Sequence, residues 1–138
     1  MTEHAIRPRW AIPLAIFIGI FSLTTLKAGG EVLFIDGIGR EAAGNYVPFV
    51  LWFNFVAGFA YFAAAAGLII WHPWVEHLAL TIAILTILVF VAFGIHILMG
   101  GAYEVRTVGA MALRSLIWLG IVFSVREKLV HARPRISI

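Results

Sequence analysis

Arg114, Asn54 and His96 are the residues best placed to do chemistry, because each interrupts a long apolar stretch. A guanidinium inside such a stretch offers a fixed cation and a fork of N–H donors to a carbonyl, a carboxylate or a quinone oxygen. An unpaired Arg at membrane depth costs roughly 2.5 kcal/mol or more, relieved in part by snorkelling. Arg114 is therefore either a structural cation that snorkels or pairs, or the floor of a binding pocket. Asn54, in Trp52-Phe53-Asn54-Phe55-Val56-Ala57-Gly58, can hydrogen-bond a neighbouring helix or a ligand. His96 can ligate a metal, move a proton, or hydrogen-bond at a helix end. Thr24, Thr25 and Lys27 occupy the last turn of the first apolar stretch, and Glu31, Asp36, Glu41, Glu104 and Arg106 occupy polar connections.

Cofactor chemistry finds little support in the pattern. A copper or zinc site of His96 with Glu31 and Glu104 is chemically allowed, yet the spacing matches no metal signature and no metal is expected. Haem held by two histidines lacks a second ligand, since His4, His72, His77 and His131 fall on the opposite side of the membrane from His96. His72 and His77 flank a tight turn with Glu76 and read as interfacial caps, because their spacing across Pro73 is not a helical pair. The absence of cysteine excludes disulfides, Cys-based metal sites and thiol redox chemistry. No flavin or nucleotide motif is present, so any quinone or lipid would be a bound ligand.

These residues need an apolar scaffold, and composition supplies one. Of 138 residues, 62% are hydrophobic and 12% charged. A soluble domain carries about twice that charged fraction. The figures exclude a soluble enzyme, a disordered regulator and a nucleic-acid binder, and they require a lipid bilayer as partner. Four segments have the roughly 20 apolar residues a spanning helix needs: Trp10–Leu26, Tyr46–Trp71, Leu78–Met99 and Thr107–Val125. Their continuous apolar character lacks the alternation of a barrel wall. The fold class is all-α, a four-helix transmembrane bundle, with residues 1–138 forming one domain. The first segment lacks a small-x-small cleavage site and reads as an uncleaved span. The connection Ala28–Asn45 contains Glu31-Val32-Leu33-Phe34-Ile35-Asp36, a candidate interfacial helix or re-entrant flap. The small-residue spacings Ala60/Ala64, Ala63/Gly67 and Ala79/Ala83 read as close-packing seams.

Orientation follows from charge. Arg7, Arg9, Arg126, Lys128, Arg133 and Arg135 lie on the side of the termini, against Lys27, Arg40 and Arg106 on the other. The positive-inside rule places both termini in the cytoplasm of a bacterial inner membrane. Trp10, Trp71 and Trp74 then form the inner aromatic belt. Walking each span at about 1.5 Å per residue puts Asn54 and Arg114 about two turns below the periplasmic surface, and His96 about one. Glu104 is about 15 Å from Arg114 along a helix, so Glu31 or Asp36 is the expected ion-pair partner.

A Lys ending the first span (Lys27) and a polar residue before small residues on the second (Asn54, then Ala57-Gly58) resemble the DoxX-like small membrane proteins. That family carries a Glu on its second span where this chain has Asn54. The segments Tyr46–Phe55 and Gly100–Val108 also look like parts of small bacterial membrane proteins. The resemblance implies a link to quinone-dependent redox complexes. The residues themselves suggest a periplasm-facing polar pocket formed by Arg114, His96, Asn54, Glu31, Lys27 and Glu104, in a ligand-binding or accessory subunit of a membrane or redox system. The alternatives are a quinone-linked oxidoreductase component and a small-solute transporter working as a homo-oligomer. A membrane or periplasmic protein partner fits each reading. No catalytic residues are assigned.

Overall fold

The buried residues of the first helix, α1 (Ala11–Phe34), are Ala11, Ala15, Ile18, Ser22, Thr25, Gly29 and Val32. Their alternating steps of four and three are the heptad seam of a helix packed at a shallow angle on a neighbour. Most of them are small, so the neighbour can approach closely. That neighbour is α3 (Pro48–Ile70), reached through α2 (Ile38–Ala43). The bundle is completed by α4 (Trp74–Leu98) and α5 (Val105–His131). This computed structural model describes residues 6–131, all of whose regular elements are helical.

Ring contacts show that α1 and α3 are antiparallel. Trp10 meets Trp71 at 5.7 Å, Phe21 stacks on Tyr61 at 5.6 Å, and Phe34 meets Trp52 at 5.8 Å. The Ser22 hydroxyl donates to the Gly58 carbonyl across this seam at 2.6 Å. A Cβ at Gly29 would stand 3.1 Å from the Phe55 ring, so the glycine lets that ring settle on α1. α3 packs next on α4, and α4 on α5, whereas α1 and α5 have no close backbone approach. The core has a large cluster running toward the Trp71 turn, including Tyr61, Leu68, Val75, Ala79, Trp118 and Val125. A smaller one of Val47, Val50, Phe93 and Met111 lies toward the α2 end.

Four helices, α1, α3, α4 and α5, are long and apolar enough to cross a membrane. Their outward faces carry exposed Ile20 and Leu23, Val56 and Phe59, Leu88 and Val91, Leu116 and Phe123. Surfaces of this composition are stable against lipid tails and not against water.

The apolar windows underestimate the helices. α1 continues about two turns beyond Leu26, so Glu31–Phe34 are its last turn and not a flap. Arg40 closes it, donating from Nε to the Val32 carbonyl at 2.8 Å and from Nη2 to that of Leu33 at 3.1 Å. A cation on the last carbonyls of a helix satisfies orphan acceptors and complements the dipole. The short helix of the first connection is α2, about two turns later than expected. α4 starts at Trp74, not Leu78, where the His72 Nδ1 accepts the Trp74 N–H at 3.3 Å. α5 continues past Val125 through Arg126-Glu127-Lys128, residues that are good helix formers although polar. Of the expected seams, Ala79/Ala83 and Gly67 are buried, while Ala63 is exposed.

A Cβ at Gly67 would lie 2.8 Å from the Trp74 indole, whereas one at Gly94 would meet nothing within 4 Å. Gly67→Ala is expected to cost about 1–3 kcal/mol through overpacking. Gly94→Ala should leave stability unchanged or raise it by up to about 1 kcal/mol. Thermal unfolding of both variants in one detergent checks the contrast.

Candidate functional site

At the α2 end a cavity of about 240 Å³ lies between α3 and α5. Val47, Val50, Leu51 and Ala110 form apolar wall, and Asn54, Glu104, Arg106 and Arg114 supply the polar groups. Asn54 and Arg114 come together because α3 and α5 both start at this end. They lie about 9 Å and about 14 Å along their respective helices, one below the other.

The mouth is built by Glu104 and Arg106. Glu104 Oε1 accepts the Asn45 N–H at 2.8 Å, and Arg106 Nη2 donates to the Ala42 carbonyl at 2.7 Å. These two bonds pin the end of α2 and the following turn onto the start of α5. Gly44 has φ of +63°, and a Cβ there would also strike the Glu104 carboxylate. Both backbone conformation and space therefore demand glycine.

Deeper in, Arg114 places its guanidinium carbon 5.4 Å from the centre of the Phe21 ring, bridging the gap between α5 and α1. A cation over an aromatic face is favourable by about 0.5–2 kcal/mol. The expected ion pair with Glu31 or Asp36 does not form. Glu31 is 3.8 Å from Lys27 on the same helix, and Asp36 pairs with Arg40. Among the described residues the remaining ion pair joins Glu76 to Arg126 at 3.7 Å, at the opposite end. The reason is local. Extending α1 places Lys27 and Glu31 one turn apart on an exposed flank, where they meet each other first.

Arg114 Nε and Asn54 Oδ1 are buried without a hydrogen-bond partner, as are Tyr61 Oη, Thr86 Oγ1 and Trp118 Nε1. The Tyr61 hydroxyl faces Arg114, Trp118 and Thr86. Its ring lies 5.0 Å from that of Trp118, and both residues, like Thr86, are fully buried. A polar layer from three helices thus stands next to Arg114, outside the lining of the cavity. Buried polar atoms left unpaired are uncommon in native proteins.

Of the residues expected at the site, Arg114, Asn54 and Glu104 line this cavity, and His96, Glu31 and Lys27 do not. His96 Nε2 donates to the Ala102 carbonyl at 3.1 Å and closes the turn between α4 and α5. Gly101 is required there, since a Cβ would fall 2.3 Å from that ring nitrogen. No group of three His, Cys, Asp or Glu side chains gathers among the described residues, and His96, Glu31 and Glu104 remain apart. Tyr61 and Trp118 are not among the residues the sequence marks for the site. Their signal is position, since each is an aromatic with a polar tip in mid-span and not in an interfacial belt.

Comparison of the chain with protein families, curated proteins and solved structures finds no match.

The Glu104 contact makes a direct prediction. Hydrogen exchange should find the Asn45 amide protected in the native protein and in Glu104→Gln, whose side-chain oxygen still accepts. Glu104→Ala should lose that protection and about 1–2 kcal/mol of stability, as expected for removing a charged acceptor.

Proposed function

We propose that the protein is a small inner-membrane protein that binds a small ligand in the cavity between α3 and α5, as a ligand-binding or accessory subunit of a membrane system. The observation that carries this reading is Arg114. A cation with a buried, unpartnered Nε lies on a cavity of about 240 Å³, beside the equally unpartnered Asn54 Oδ1. Structural arginines in membranes find a carboxylate or backbone carbonyls, or snorkel to water. This one has an aromatic ring and a cavity. Donor and acceptor side by side on apolar walls suit a ligand with a compact apolar body and an oxygen-bearing head.

The positive charge of Arg7, Arg9, Arg126 and Lys128 at the opposite end supports cytoplasmic termini and a periplasm-facing cavity. A binding role is favoured over a transport path by what lies beyond the polar layer. Ala64, Leu68, Ala79, Ile82, Ala83, Ile121 and Val125 fill the interior toward the Trp71 turn with close-packed apolar groups. A quinone headgroup or a lipid end would fit the cavity chemistry, and a redox partner would then have to supply the electron carrier.

Solvent extraction of the purified protein followed by mass spectrometry tests the proposal. One species is expected to co-purify with the native chain and with His96→Ala, whose ring serves only a turn. It should be depleted at least tenfold from Arg114→Ala of unchanged elution volume. Retention of that species by Arg114→Ala places the site elsewhere.

A further inference from the structure

We infer that the ligand of this cavity is a monoanion, a carboxylate on a compact apolar body seated against Arg114; the inference rests on the ligand-binding reading above. The first support is charge. The cavity lining holds two cations, Arg106 and Arg114, against one carboxylate, Glu104. Glu104 and Arg106 sit together at the mouth, each engaged with the backbone of the α2 turn. Arg114 lies deeper in, and among the described residues no carboxylate pairs with it. Phe21 offers a quadrupole and no charge. Arg114 is half-buried with its Nε sealed from water, and a partly desolvated cation is stabilised by an anion brought to it. A single uncompensated cation matches a single negative charge, and the Glu104 carboxylate at the mouth disfavours a dianion such as phosphate.

The second support is the donor inventory. Of the two unpartnered buried atoms on the cavity lining, Arg114 Nε can only donate, and the guanidinium carries further N–H donors. Only Asn54 Oδ1 is an obligate acceptor, and its amide nitrogen adds further donors. Behind the lining, the fully buried Tyr61 hydroxyl faces Arg114. A site rich in donors and poor in acceptors selects an acceptor-rich head.

The third is size. An apolar cavity of about 150 Å³ is known to admit benzene, so one of about 240 Å³ admits a six-carbon body with a small polar head. Hexanoate and benzoate are of that order. The same carboxylate could belong to a soluble short acid arriving from the aqueous side, or to a fatty acid whose head enters and whose tail stays in the bilayer.

Thermal unfolding in an uncharged maltoside detergent at pH 7 tests this with hexanoate, benzoate and palmitate against hexanamide, benzamide and phosphate. A rise in Tm of about 5 °C is expected at acid concentrations about a hundredfold above Kd. The amides and phosphate should give none, and Arg114→Gln should abolish the response. A response to all three acids assigns an aqueous source, and a response to palmitate alone assigns the bilayer. If an amide stabilises as strongly as its acid in an Arg114-dependent way, the charge inference fails and the binding site stands. If no acid or amide shifts Tm, or the shift persists in Arg114→Gln, both fail. The comparison of acid with amide uses the native chain alone, so it decides even where Arg114→Gln does not fold.

Discussion

The close approach of α1 to α3 governs the rest of the bundle. Ala11, Ala15, Ser22, Thr25 and Gly29 leave so little side chain between the helices that Ser22 reaches the Gly58 carbonyl directly. Two helices drawn together so tightly cannot both keep close contact with the other pair. α4 takes α3 on one side and α5 on the other, and α5 is left without a near backbone neighbour across from α1. Large side chains fill that space: Phe21 from α1, Tyr61 from α3, and Arg114 and Trp118 from α5. Small residues on one seam thus require bulky ones on the other side, and at the α2 end, where bulk gives out, a cavity is left between α3 and α5.

This geometry explains why the polar groups form a layer and not a scatter. Tyr61, Thr86 and Trp118 lie at similar depth, each about 20 Å from the α2 end of its helix. On one side is the apolar cluster running to the Trp71 turn, and on the other is the smaller one around Phe93 and Met111. Arg114 stands between this polar layer and the cavity. Among the described residues no carboxylate pairs with Arg114, and the group set against its guanidinium there is the Phe21 ring.

Much of the fold was legible in the sequence, since unbroken apolar runs of membrane length admit few alternatives to spanning helices. Helix ends were not, because hydropathy marks where lipid contact stops while caps decide where helices stop. Arg40 and His72 act as such caps, and neither lies in the helix it caps. Asn54 and Arg114 stood out because polar groups in apolar runs are costly, and the parallel course of α3 and α5 joins them. Their surroundings were hidden for two reasons. Tyr61 and Trp118 count as hydrophobic in any composition, so their hydroxyl and N–H pass unnoticed. Glu31 and Asp36 are unpaired carboxylates in the linear sequence, but they are not free once α1 extends and Lys27 and Arg40 come within reach.

Elimination among the charges at the α2 end leads to the same residue. Arg40 holds the last carbonyls of α1, Arg106 holds a carbonyl of α2, and Glu104 holds the amide that follows it. Lys27 and Glu31 face each other on an exposed flank, Asp36 pairs with Arg40, and Glu41 is exposed. His96 secures a turn. Each of these has a local structural role or a solvated position that accounts for its polarity. Arg114 has an aromatic ring on one side, unpaired hydroxyls and an indole beside it, and a cavity in front. Arg114 is thus the charge at this end that neither an ion pair nor a solvated position accounts for among the described residues.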